Sequence, residues 1–175
     1  MKIGINVGFT LIELMVTVTL VAITLTMGIP SLVDMVRTNR MAGYVNDMVA
    51  EYNFARSEAM KRSSFVTLCK RNAAGNACNN SASWVSGWIV FADTNGDGSI
   101  DTEEPILRVH PALTGLTSIS YANNRVTIDG SGYATGFAGV LSFCDARGVT
   151  KAKGRELYNS GRLGTVAVGH TLTCS

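Results

Sequence analysis

Residues 7–16 read VGFTLIELMV, and the single carboxylate in that stretch, Glu13, decides how the rest of the chain is understood. Glu13 stands near the start of an otherwise uncharged apolar segment, and no further charged residue appears until Asp34. A run of that length is about what a membrane-spanning helix needs. Lys2 precedes it, so the positive-inside rule leaves the short leader in the cytoplasm and the bulk of the chain on the far side. A carboxylate in lipid costs roughly 2.5–3.5 kcal/mol at the bilayer centre and less near its edge. Such groups usually have a partner and a function. An ordinary secretory signal carries its small-residue cleavage site after the apolar core. Here Gly8 comes before the core, so cleavage at Gly8 retains the apolar helix and makes Phe9 the new N-terminus. The cationic amine of a neighbouring chain's Phe9 is then a partner for Glu13.

The 175 residues are enough for one domain with a hydrophobic core plus an extension. The chain is 46% hydrophobic and only 16% charged, with a mean hydropathy of +0.20 that is high for a soluble protein. Much of that excess lies between Phe9 and Val36. A net charge of +2 is too small to imply a nucleic-acid partner by itself. The cysteines, Cys69, Cys78, Cys144 and Cys174, form an even set whose spacings match no common zinc pattern. Behind a membrane signal they suggest two disulfides formed in an oxidising periplasm. Three pairings are open; Cys69–Cys78 with Cys144–Cys174 is favoured because each bridge would staple a local segment.

Beyond the apolar segment, Met41, Tyr44, Val45, Met48, Val49, Tyr52, Ala55 and Ala59 recur every three or four residues. Arg40, Asp47, Glu51, Glu58 and Arg62 lie largely on the other side, with Glu58 and Arg62 spaced for an i,i+4 pair. The pattern predicts one long helix from about Thr10 to Lys61, weakened around Gly28 and Pro30. From Ser63 the pattern changes to short β runs: SFVTLC, GWIVFAD, PILRVH, LTSISYA, NRVTIDG, GVLSFC, GRELYN and GRLGTVAV. NSG between the last two is a hairpin signal. The fold class expected is α+β, a long N-terminal helix laid against an antiparallel β-rich head.

GFTLIELMV resembles the type IV prepilin signature, a glycine followed by FTLIE and an apolar helix. In that family a prepilin peptidase cuts after the glycine and methylates the new N-terminal phenylalanine, and a glutamate at the fifth mature position aligns subunits in the filament. The resemblance implies cleavage between Gly8 and Phe9, N-methylation of Phe9 and an assembly role for Glu13. Within that class, YNFARSEAMKRSSFVTLC, GWIVFADTNGDGSIDTEEPILR and the C-terminal GRLG are similar to the FimT/FimU minor pilins and to the type II secretion pseudopilin GspH. The implied organisation is a leader at 1–8, a transmembrane and filament-core helix at 9–33, an amphipathic helix at 34–62 and a disulfide-stapled periplasmic head at 63–175.

DTNGDGSIDTEE, from Asp93 to Glu104, matches the calcium-loop template D-x-[DN]-x-[DN]-G-x5-E. Asp93, Asn95, Asp97, Asp101 and Glu104 are candidate calcium ligands, with Gly98 at the sharp turn. The context is not that of an EF-hand, because a β run precedes the loop and Pro105 follows it. The alternative is an acidic loop built on side-chain-to-backbone turns. His110 and His170 belong to no nucleophile or ligand motif, and the glycines of IDGSGYATGFAGV spell no phosphate loop. No triad or paired-carboxylate site emerges, so no enzyme is expected. The C-terminal region carries Arg147, Lys151, Lys153, Arg155 and Arg162 against Asp145 and Glu156. On one face these cations would hold phosphates through charge; otherwise they form a solvated basic face. Some FimT-like proteins bind DNA through a G-R-x-R element, and here Gly161 and Arg162 are followed by Gly164 in place of the second arginine.

The expected function is that of a structural minor pilin that primes type IV pilus assembly. Its expected partners are other minor pilins, the major pilin, the prepilin peptidase and, before assembly, inner-membrane lipid. The alternatives are a GspH-type pseudopilin and a DNA-binding competence pilin.

Overall fold

A computed structural model describes residues 8–174; Lys2 and the leader up to residue 7 lie outside the described residues. The helix α1 spans Leu11–Arg62, 52 residues with Pro30 inside it. Its start is set by Thr10, whose carbonyl accepts from the Leu14 amide at 3.1 Å and whose hydroxyl accepts from the Glu13 amide at 3.3 Å. That side-chain bond satisfies one of the orphan donors at a helix N-terminus. The helix ends by a paired closure: Ser64 N–H donates to the Ala59 carbonyl at 3.2 Å and Ser63 N–H to the Met60 carbonyl at 3.3 Å. This is a Schellman motif, and Ser63 takes the left-handed conformation it requires, with φ 49°.

The chain divides into two compact units between Asn39 and Arg40. The described part of the first is the N-terminal stretch of α1 and the residues just before it. The second is the head, whose strands are β1 (Val66–Lys70), β2 (Trp88–Ala92), β3 (Ile106–His110), β4 (Ser118–Ser120), β5 (Arg125–Ile128), β6 (Gly139–Cys144), β7 (Lys153–Leu157) and β8 (Leu163–Gly164). Each of the eight β runs read from the sequence overlaps one of them.

The strands form two four-stranded sheets, ordered β3-β2-β1-β5 and β4-β6-β7-β8. Every paired neighbour is antiparallel. Within the head, α1 buries Met41, Val45, Met48, Tyr52, Ala55 and Ala59 in one core shared with both sheets. The first sheet supplies Val66, Leu68, Trp88, Val90, Val126 and Ile128, and the second supplies Ile119, Leu141, Phe143 and Leu157. The two-residue alternation along β1 and β6 sends Val66, Leu68, Leu141 and Phe143 into that core. Thr67, Cys69, Ser142 and Cys144 point the other way, yet they too are buried.

Separate covers explain that second burial. Behind β1 and β2, Cys69, Ile89 and Phe91 form a small cluster with Cys78 and Ile100 from the loops. Behind β6 and β7 lies the C-terminal tail. Thr173 N–H donates to Ser142 Oγ at 3.2 Å, and Leu172 and Val166 pack over Gly154, where a Cβ would overlap Leu172. Each cover carries a disulfide, Cys69–Cys78 in the first and Cys144–Cys174 in the second.

Candidate assembly site

The N-terminal stretch of α1 is apolar enough to cross a membrane, with a mean hydropathy of 2.0 over its best 18-residue window and none of that window buried. Its threonines do not interrupt this character. Thr17, Thr19, Thr24 and Thr26 donate their hydroxyls back to the carbonyls of Leu14, Val16, Leu20 or Val21, and Ile23 at 2.8–3.0 Å. Each polar hydrogen is therefore satisfied within the helix, as hydrocarbon surroundings demand.

Glu13 lies in the first turn of α1. A carboxylate there complements the positive end of the helix macrodipole. With the Thr10 hydroxyl on its own amide, it completes the T-x-x-E spelling of a capping box. The charge pattern by itself points Glu13 only at a neighbouring chain; the Thr10–Glu13 spacing is the sequence signal of this additional, local role. Gly8 and Phe9 precede the first turn outside the helix, and Phe9 is exposed.

On the head, the acidic loop between β2 and β3 puts its carboxylates to internal use. Asp93 is fully buried; its Oδ2 accepts from the Thr67 hydroxyl at 2.6 Å and the Gly98 amide at 3.0 Å. Glu104 accepts from the Thr94 amide at 2.6 Å and the Asp101 amide at 3.2 Å. The Asn95 side-chain amide donates to both Asp97 and Asp101 at 3.1 Å. Among the described residues no cluster of His, Cys, Asp or Glu is disposed to hold a metal ion. Asp93, Asn95, Asp97, Asp101 and Glu104 all lie on this one loop, and Asp93 Oδ1 is buried there without a hydrogen-bond partner among the described residues. The bonds to Asp93 Oδ2 and Glu104 close the turn, and the one from Thr67 ties it to β1.

The basic residues are divided. Lys153 and Arg155 lie on one face of β7 and line an open groove with Gly154 and with Ala42, Val45 and Asn46 of α1. Arg162 sits over the Tyr158 ring, 4.5 Å from its centroid, in the β7–β8 hairpin. Arg147 pairs with the buried Asp145 at 2.7 Å. Lys151 is exposed beside β7.

Both histidines serve the fold. His110 stacks on Trp88 with ring centroids 4.0 Å apart, and its Nδ1 donates to the Pro111 carbonyl at 2.9 Å. His170 lies 2.9 Å from Glu156, whose Oε2 also accepts from the Ala167 amide at 2.8 Å. That amide holds the Glu156 carboxyl below its ordinary value.

Three comparisons bear on this arrangement. The family of the type II transport protein GspH matches residues 44–166. Among curated proteins nothing matches. Two crystal forms of the type IV minor pilin FimU from Pseudomonas aeruginosa strain PAO1 share the fold. The P21 form is 16% identical over 76% of this chain and 92% of its own, with a TM-score of 0.57. The P65 form is 18% identical over 72% of this chain and 92% of its own, with a TM-score of 0.51.

Proposed function

The chain belongs to the family of the type II transport protein GspH, and from that premise we propose that it is a structural minor pilin of a type IV pilus, helping to prime assembly near the tip. The family and the fold are those of structural pilins, which makes its role a pilin-type one. The observation that carries the proposal is the uncovered apolar helix that begins immediately after Phe9 and has Glu13 in its first turn. In this proposal residues 1–8 are a leader removed after Gly8, Phe9 becomes N-methylated, and residues 9–33 hold the protein in the inner membrane. Residues 34–62 and 63–175 then lie in the periplasm.

On extraction from the membrane the apolar stretch exchanges lipid for the corresponding helices of neighbouring pilins. The hydroxyls of Thr17, Thr19, Thr24 and Thr26, bonded within their own helix, need no new partners. Glu13 does, because its charge leaves the lipid headgroup region; the Phe9 amine of an adjacent subunit supplies the opposite charge at the point of closest helix approach. The head performs no chemistry in this proposal. Its task is to present surfaces to adjoining pilins.

An in-frame deletion, its complemented strain and a Glu13→Ala strain test the proposal by quantifying surface pili sheared from each. Loss of pili on deletion, recovery on complementation and poor incorporation of Glu13→Ala with a normally folded head are expected. Normal pili in the deletion strain would sink the pilus role. The second reading, a GspH-type pseudopilin, draws on the secretion role printed for the matching family; it predicts loss of secreted proteins from the medium with pili intact.

A further inference from the structure

Two surfaces of the head carry opposite charge at opposite ends of its helix. Near the start of the head, Ala42, Val45 and Asn46 of α1 and Lys153, Gly154 and Arg155 of β7 enclose an open groove of about 200 Å³. Elsewhere on the head, Arg108 meets Glu51, Arg62 meets Glu58 and Arg147 meets Asp145, while Arg56, Lys70 and Arg71 donate to backbone carbonyls and Arg162 stacks on Tyr158. Lys153 and Arg155 stand together at the groove without such carboxylate partners. Among the described residues neither has a carboxylate at ion-pair distance, and Arg155 bonds only the carbonyl of Gly154. Exposed Lys151 adds a third positive charge beside the groove.

At the far end, just past the helix terminus at Arg62, Gly96 lies against the Phe65 ring and brings the β2–β3 loop to that level. Asp93 and Glu104 are buried within this loop, but Asp97, Asp101 and Glu103 are exposed. None of those three has a cation at ion-pair distance among the described residues. Arg125 packs its guanidinium against Gly98, on the loop's inner side, and leaves the outer carboxylates uncompensated. With a rise of 1.5 Å per residue, the helix separates the groove from the loop by roughly 25–30 Å along its axis.

Opposite charges at opposite ends of one body cannot neutralise each other within the molecule. They can do so between two copies set in the same direction, a heterologous contact. We infer that the Lys153–Arg155 groove seats the exposed Asp97–Glu103 edge of the acidic loop of a second copy of this chain. The inference adds a partner to the filament-subunit role proposed above and rests on it. Its contact is electrostatic and open to solvent, so it weakens with salt.

The test uses the full-length protein in detergent, prepared at natural isotope abundance and with 15N, then mixed and treated with a carbodiimide. That reagent joins a carboxylate to a lysine amine with loss of water. Mass spectrometry separates links between copies, which carry both isotopes, from links within one. Mixed-isotope links from Lys151 or Lys153 to Asp97, Asp101 or Glu103 are expected, and they should fall at least tenfold in K153E/R155E. Adding D101K/E103K to that variant should restore mixed-isotope links with the chemistry reversed. The loop then supplies the amines at positions 101 and 103 and β7 the carboxylates at positions 153 and 155, which also guards against simple misfolding. Yields unchanged by charge reversal, or mixed-isotope links that end on other surfaces, overturn the inference. So does Lys153 linked only to an acidic surface of a different, co-purified pilin. No pili are needed for any arm, so failure here leaves the pilus assay to judge the underlying role separately.

Discussion

Ser63 holds a backbone conformation that costs a residue with a β-carbon roughly 1–2 kcal/mol, with φ at 49°. The Schellman closure of α1 imposes it, because Ser63 and Ser64 must both turn their amides back onto the helix. Ser63→Gly relieves that strain but returns about 0.5–1 kcal/mol of unfolded-chain freedom. A net stabilisation of up to about 1 kcal/mol is expected, read as a higher melting temperature. Gly161 is the opposite case. It turns the β7–β8 hairpin at φ 71°, and a Cβ there would overlap the carbonyl oxygen of Gly132. Gly161→Ala combines backbone strain with overpacking and should cost about 2–4 kcal/mol. A melting temperature unchanged by that substitution would refute the close approach of the hairpin to Gly132.

Among the elements, the C-terminal tail shows how one segment without regular structure is held. Cys174 ties it to β6, Thr173 bonds Ser142, and Glu156 of β7 accepts from the Ala167 amide. The Cys144–Cys174 bridge spans 30 residues and the Cys69–Cys78 bridge 9. On loop-closure entropy the longer should contribute about 3.6 kcal/mol and the shorter about 2.6. Unfolding of the two paired Cys→Ala variants would test that order. Acid should loosen the tail. The Glu156 carboxyl is held below its ordinary value of 4.5 by the Ala167 amide. Its stabilisation is therefore complete above about pH 4.5 and is lost as pH falls through the lower folded-state value. Glu58 is also held low, by its hydrogen bond from Arg62, and adds to the same acid limb. Glu156→Gln should be less stable than wild type near pH 7 yet lose less between roughly pH 5 and 3. Urea midpoints across that range check the sign; parallel curves would remove Glu156 from the account.

For the whole molecule, the boundary between Asn39 and Arg40 separates two kinds of stability. The head owns a closed core whose first helical member is Met41. The apolar stretch before it has no buried side chains in its most hydrophobic window and depends on lipid or on neighbouring chains for cover. A protein beginning at Arg40 should therefore stay soluble without detergent, form both disulfides and melt cooperatively. The full chain should need detergent. A non-cooperative melt of the shortened protein would show that the preceding helix contributes to the head's fold.

The long helix and the eight strands were legible because their signals are local: a three-to-four-residue apolar spacing up to Ala59, then short β-prone runs cut by glycine and asparagine. The membrane-compatible stretch and the first-turn glutamate were legible for the same reason, although the cap that Thr10 makes with the Glu13 amide went unread. Strand order was not legible. β1 pairs with β5 across the whole of β2, β3 and β4, while β4 leaves for the other sheet, and runs of similar composition do not say which partner each will find. The acidic loop spells calcium ligands, but a spelling does not reveal that Asp93 turns inward to Thr67. Likewise the basic residues are close along the chain, yet β7 keeps Lys153 and Arg155 in a groove while the hairpin carries Arg162 away. The sequence by itself determined which segments are helix, strand and lipid-compatible, since backbone preference and apolar period act over a few residues. Only the tertiary structure decided which charges are consumed inside the head and which face outward, because that depends on contacts between residues far apart along the chain.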